Sequence, residues 1–165
     1  MKFDLLSSLW LHEPDSVTVA RAENELGLPT ATPDELAAAY ADLFLLNVYP
    51  YGTAYTDPDG ELNAPSAHKL ATLYETQGYC PPELNEVAAP DHLGLCLGFI
   101  HHVDAFRRNV STEGLLQWIP VCCLAVEREP TAHRFYRALA KVTREWLMAD
   151  SKWPIADSGR LSAIR

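Results

Sequence analysis

Apolar residues recur along this chain at three- and four-residue steps, and nowhere do they alternate with polar ones for long enough to make a strand. Phe3, Leu6 and Trp10, with Leu5 and Leu9 beside them, form the first stripe, which ends at Pro14. A second helix is expected from Ser16 to Leu26, stopped by Gly27. The third carries the best start signal: Thr32 can cap, Pro33 suits the first helical position, and Glu35 completes a Thr-x-x-Glu capping box. Its apolar face is Leu36, Tyr40, Leu43 and Phe44. From Val48 to Glu61 the periodicity gives way to an ordered loop rich in turn residues and tyrosine. A helix over Pro65–Gln77, closed by Gly78, follows, and then a second loop from Tyr79 to Ala89. The next helix is expected to open at Pro90-Asp91 and to bury Leu93, Cys96, Leu97, Ile100 and Val103. From about Thr112 to Glu127 the chain is apolar on nearly every side, which predicts a helix at the centre of the bundle, kinked at Pro120. Thr131 is expected to cap a last helix bearing Phe135, Leu139, Val142 and Trp146. The reading is an all-α, single-domain helical bundle over residues 1–149, with a C-terminal tail at 150–165 that Trp153-Pro154 could dock.

Composition agrees with that class. The chain has 165 residues, enough for one domain with a core of its own, and holds 23 Leu and 21 Ala against 9 Val and 4 Ile, a helix-forming balance. A net charge of −9 opposes nucleic acid as a partner and suits a basic one. The opening residues lack the apolar run and cleavage site of a signal peptide, and Trp118 to Val126 is too short to cross a bilayer. Cys80, Cys96, Cys122 and Cys123 form no CxxC, and read as small hydrophobes in a reducing compartment. A soluble, cytoplasmic protein without stable membrane insertion is expected.

Enzyme signatures are missing: there is no phosphate loop, dinucleotide fingerprint, HExxH or GxSxG. His92 and His101 fall on opposite faces of one helix at about 100° per residue, so no metal site follows from spacing and no cofactor is expected. Asp91 and His92, as helix neighbours, cannot pair as acid and base; Asp91 reads as a helix cap, with His92 at the edge of a groove. Tyr40 and Phe44 lie one turn apart, and the loop after them returns Tyr49, Tyr51 and Tyr55. A buried tyrosine must satisfy its hydroxyl, so a tyrosine-lined groove suited to an apolar peptide with polar flanks is the expected binding feature.

The same segments resemble the TorD/DmsD/NarJ family of molybdoenzyme-specific chaperones. Tyr40-Ala-Asp-Leu-Phe44, then Pro50-Tyr51 and Thr53-Ala-Tyr55, look like the family's aromatic-x-x-Leu-Phe and Pro-aromatic-x-Ser-Val-Tyr signature, with Thr-Ala in place of Ser-Val. Ala89-Pro90-Asp91-His92-Leu93 is similar to its Pro-x-Asp-His motif, with the proline one place later. Leu116-Gln-Trp-Ile-Pro120 and His133-Arg-Phe-Tyr-Arg-Ala-Leu139 resemble its Trp-x-Pro segment and its final helix. The resemblance implies a non-enzymatic chaperone that binds the twin-arginine signal peptide of a molybdopterin-containing oxidoreductase. It would hold the apo-form of that catalytic subunit for cofactor insertion before export, as a monomer or a domain-swapped dimer. By position, Tyr40, Leu43, Phe44, Pro50, Tyr51, Tyr55, Asp91 and His92 would line or support the peptide groove. Asp91, exposed at a helix start, would accept an arginine. Two other readings remain: a NarJ-like chaperone of the N-terminal tail of a non-exported redox subunit, and a small metal-dependent helical enzyme.

Overall fold

The computed structural model describes residues 2–61, 64–87, 89–105 and 113–149. Among these, every regular element is helical: α1 Lys2–Leu11, α2 Ser16–Leu26, α3 Pro33–Tyr40, α4 Thr53–Thr56, α5 Pro65–Gln77, α6 Glu83–Val87, α7 Leu93–Ala105, α8 Glu113–Arg128 and α9 Arg134–Ala149. The tail at 150–165, with Trp153-Pro154, lies outside the described residues.

Local signals set several of these boundaries. Asp15 caps α2, accepting from the Thr18 N–H at 2.8 Å. Thr32 and Glu35 form the capping box of α3: the Glu35 N–H donates to Thr32 Oγ1 at 3.3 Å, and the Thr32 N–H donates to Glu35 Oε2 at 2.9 Å. Gly27 and Gly78, both at positive φ, close α2 and α5.

The structure departs from the sequence expectation in several places. First, α3 widens into a π-helical segment, Ala41–Asn47, anchored by Val48 N–H donating to the Leu43 carbonyl at 2.7 Å. The two loops also contain short helices of their own, α4 and α6. Second, α7 begins at Leu93 rather than at Pro90-Asp91, and its cap is His92, whose Nδ1 accepts from the Gly94 N–H at 3.2 Å. Third, α9 begins at Arg134, with His133 Nδ1 accepting from the Phe135 N–H at 3.3 Å, while Thr131 instead donates to Glu129. Fourth, α8 runs through Pro120, with Trp118, Ile119, Cys122, Cys123 and Val126 inside and Val121 half exposed, so one side does meet solvent.

The core joins α1, α7, α8 and α9. Trp10 and Thr143 link α1 to α9 by an Nε1–H···Oγ1 bond of 3.0 Å, and Ser7 Oγ donates to the Gly94 carbonyl of α7 at 2.7 Å. Arg144 clamps α9 to α8 through a two-point contact with Glu127, 2.7 and 2.9 Å. Cys96, Cys122 and Cys123 are buried and unbridged, and Cys80 is exposed. No helix of the described residues is long and apolar enough to cross a membrane.

Candidate peptide-binding site

Two loop segments far apart in sequence are stitched together at one end of the bundle. The Leu93 N–H donates to the Pro50 carbonyl at 2.8 Å and the Gly52 N–H to the Asp91 carbonyl at 3.0 Å, with Tyr51 and His92 paired as an isolated antiparallel bridge. The Thr53 N–H, at the start of α4, donates to Asp91 Oδ2 at 2.7 Å. From α5, the Tyr74 hydroxyl donates to the Pro90 carbonyl at 2.8 Å. Gly52 is required here because a Cβ would lie 2.9 Å from the Trp118 ring.

The clasp corrects the expected exposure of Asp91. Its side chain belongs to a residue only 4% exposed, and it caps α4 rather than α7. Its second oxygen, Oδ1, is buried with no hydrogen-bond partner, and so is Thr53 Oγ1 on a residue 1% exposed. Both residues line a cavity of about 330 Å³, walled by Leu70 and Leu73 from α5 and by Leu115 and Trp118 from α8. Lys69 supplies a cation to the same wall. An unpaired buried carboxylate oxygen is costly unless something repays it, and here both unpaired atoms belong to residues on the wall of one largely apolar pocket.

The other sequence-predicted residues surround this clasp in different ways. Tyr40 donates to the Trp10 and Leu11 carbonyls at 3.0 and 3.2 Å, the unpaired C-terminal end of α1. Its ring packs in one aromatic group with Phe44, and Phe44 in turn with Trp10 and Tyr136. Leu43 and Phe44 are core, 1% and 2% exposed, and Pro50 is buried. Tyr51 meets His92 edge to face at 5.1 Å, and Tyr55 stacks on Trp118 at 5.9 Å. Burial raises the pKa of Tyr51, with the negative charge of Asp91 adding to it. Burial likewise pushes the Tyr55 hydroxyl well up. For His92 burial acts in the opposite direction, lowering its pKa to about 4, with the charge of His12 as a second cause. Of the eight expected residues, Asp91 alone lines the cavity; Tyr55 holds one of its walls, Trp118, in place.

Leu70 and Leu73 were not singled out by sequence, being ordinary apolar helix positions, while Thr53 and Trp118 stood in the family motifs without being read as site residues. A second cavity, about 360 Å³, lies between α1, α7 and Tyr79. Several of its polar groups are already engaged: Ser7 with the Gly94 carbonyl, Tyr79 with the Leu95 carbonyl, His102 with the Gln77 carbonyl, and His101 with Asp4 at 3.6 Å. Among the described residues no group of three or more His, Cys, Asp or Glu converges on a metal position.

Residues 16–123 match the family described as "Nitrate reductase delta subunit". The chain belongs to this family. It is also similar to two curated relatives named "Chaperone protein TorD". One, from Shewanella piezotolerans, is 27% identical over 75% of this chain and 64% of its own length. The other, from Shewanella pealeana, is 27% identical over 72% of this chain and 60% of its own length. The chain thus spans less than two thirds of the length of these two relatives. No solved structure matches it. The motifs carrying the family resemblance, including the Pro50–Tyr55 and Ala89–Leu93 segments, fall within or beside the matched region, and those two segments form the clasp.

Proposed function

We propose that this chain is a molybdoenzyme maturation chaperone. It binds the twin-arginine signal segment of a molybdopterin-containing oxidoreductase and holds the apo-enzyme until its cofactor is inserted, in the cytoplasm and without itself doing chemistry. The observation that carries the reading is the pair of unpartnered buried atoms, Asp91 Oδ1 and Thr53 Oγ1, on residues that line an apolar pocket in a family member whose relatives are named chaperones. A segment of cations followed by apolar residues supplies both the missing donors and the apolar contact. The aromatic group beside the pocket, with Tyr51 and Tyr55, stiffens the clasp that presents Asp91.

The test is titration of a twin-arginine peptide and a twin-lysine control against wild type and Asp91→Asn. Asparagine still accepts from the Thr53 N–H, so the clasp is kept while the charge is lost. The expected loss is about 1.5–3 kcal/mol of binding, the range for a hydrogen bond to a charged group. Melting should not fall, since a buried uncompensated charge has been removed. Equal binding by Asp91→Asn, or by the twin-lysine control, overturns the reading.

A further inference from the structure

We propose that residues 151–165 dock across an exposed apolar face of this chain's own bundle, formed by Leu45, Leu46 and Tyr49, and there compete with an incoming basic, apolar peptide. The docking stands apart from the peptide-binding reading above; the competition rests on it.

This face differs from the rest of the described surface. Leu45 and Leu46 are exposed at consecutive positions of the π-helical segment, and Tyr49 follows four residues after Leu45. The other large exposed apolar residues, Val17, Val121 and Met148, stand singly on α2, α8 and α9, which is ordinary for a protein surface. The stretch that carries the face is acidic: between Arg21 and Lys69 the sequence has eight carboxylates and no Lys or Arg. Arg134 meets this stretch at Thr30, before α3. Asp42, in the π-helical segment itself, is exposed and enters no ion pair among the described residues.

Charge and reach select the occupant. A second copy would bring two acidic rims together, and like charges oppose that. Residues 151–165 have the opposite balance, Lys152, Arg160 and Arg165 against Asp157. They also set apolar residues behind their cations, in Lys152-Trp153-Pro154-Ile155 and in Arg160-Leu161-Ser162-Ala163-Ile164. That is the order of charge and apolar surface expected of the peptide partner. This segment follows α9, whose first turn lies against the π-helical segment: Tyr136 meets Phe44 at 5.4 Å. From Tyr136 to Ala149 the helix runs about 20 Å, and the chain from Asp150 to Arg160 spans up to about 35 Å when extended. Arg160 and the residues after it can therefore return to the face, and the tether holds them there at an effective concentration in the millimolar range.

The experiment follows trypsin cleavage after Arg160 by mass spectrometry in the full chain, in Leu45→Ser/Leu46→Ser and in a synthetic peptide of residues 151–165. Cleavage in the folded chain should run about fivefold or more slower than in the peptide, at any protein concentration, because it tracks the undocked population. Leu45→Ser/Leu46→Ser should restore the peptide's rate, and Val121→Ser, at an exposed position of α8, should leave the protection intact. Both variants alter exposed side chains and should melt as wild type does. Equal rates in chain and peptide, or protection that survives Leu45→Ser/Leu46→Ser, overturn the docking. Protection that grows with protein concentration overturns it as well and assigns the face to a second copy. The competition is read by titrating the twin-arginine peptide against wild type and Leu161→Ser/Ile164→Ser, which should bind it about threefold or more tighter. Equal affinity overturns the competition alone. If the peptide binds neither protein, the peptide-binding reading fails and the competition with it, while the cleavage rates still decide the docking.

Discussion

His92 shows how one side chain can serve a fold in a single protonation state. Its ring lies against Tyr51, its Nδ1 accepts from the Gly94 N–H to cap α7, and it is 3% exposed. A protonated Nδ1 cannot accept, so capping and burial both require the neutral ring. The folded pKa is about 4, against the ordinary 6.5, with burial the main cause and His12 the second. Between those values the unfolded chain binds the extra proton and the folded chain does not. The stability contribution is therefore complete above pH 6.5 and is lost as the pH falls towards 4. The loss is on the order of 3 kcal/mol at the acid end. His92→Asn, which retains a capping acceptor, should lower stability at neutral pH through lost ring contact yet flatten the dependence between pH 6.5 and 4. Thermal melts of both proteins across that window check it, and parallel curves would show that His92 does not titrate as described.

At the scale of elements, α1 and α7 pack closely against each other at Gly94. A Cβ on Gly94 would fall 2.8 Å from the Ser7 backbone carbonyl oxygen, and one on Gly98 would run into the Tyr79 hydroxyl. The Ser7 carbonyl belongs to a helix backbone and cannot swing aside. Gly94→Ala should accordingly push α1 from α7 and cost about 1–3 kcal/mol. Gly114→Ala in α8, where nothing lies within 4 Å, should cost nothing measurable. Urea unfolding of the two variants separates these outcomes, and equal midpoints would show that the helices are not in contact at Gly94. The π-helical segment has a different consequence. Its wider turn buries Leu43 and Phe44 side by side and leaves Leu45 and Leu46 62% and 70% exposed, next to the half-exposed Tyr49. Leu43 and Phe44 continue at i+7 and i+8 the face that Leu36 begins, so the stripe expected of α3 is kept into the wider segment.

For the whole molecule, charge and site act over different distances. The chain carries a net charge of −9, and among the described residues Asp91 is the one buried carboxylate, shielded from salt. A cationic peptide should be drawn in faster at low ionic strength, and the contact it makes once seated should depend little on salt. Association rates are expected to fall by severalfold between low and moderate salt, with dissociation rates nearly constant. Stopped-flow mixing at several salt concentrations measures both. A salt-dependent dissociation rate would place the arginine contact on the exposed surface instead of at Asp91.

What the sequence determined by itself was local. The caps at Thr32-x-x-Glu35, Gly27 and Gly78 and the ends of α2 and α5 rest on interactions within a few residues, which a linear reading contains. The family motifs were legible for the same reason, as short runs of fixed order. The tertiary structure decided what each motif residue does. Asp91, read as an exposed cap of its own helix, is buried because Pro50–Thr53 closes over it; Phe44 goes into the core, and Tyr40 packs half-buried against it, because α1 and α9 bring Trp10 and Tyr136 to these rings. The pocket itself draws its walls from residues 52–53, 69–73, 91 and 114–118. No periodicity in the sequence links these segments. Whether a carboxylate has a partner, or a tyrosine finds a carbonyl, depends on which distant backbone is packed beside it.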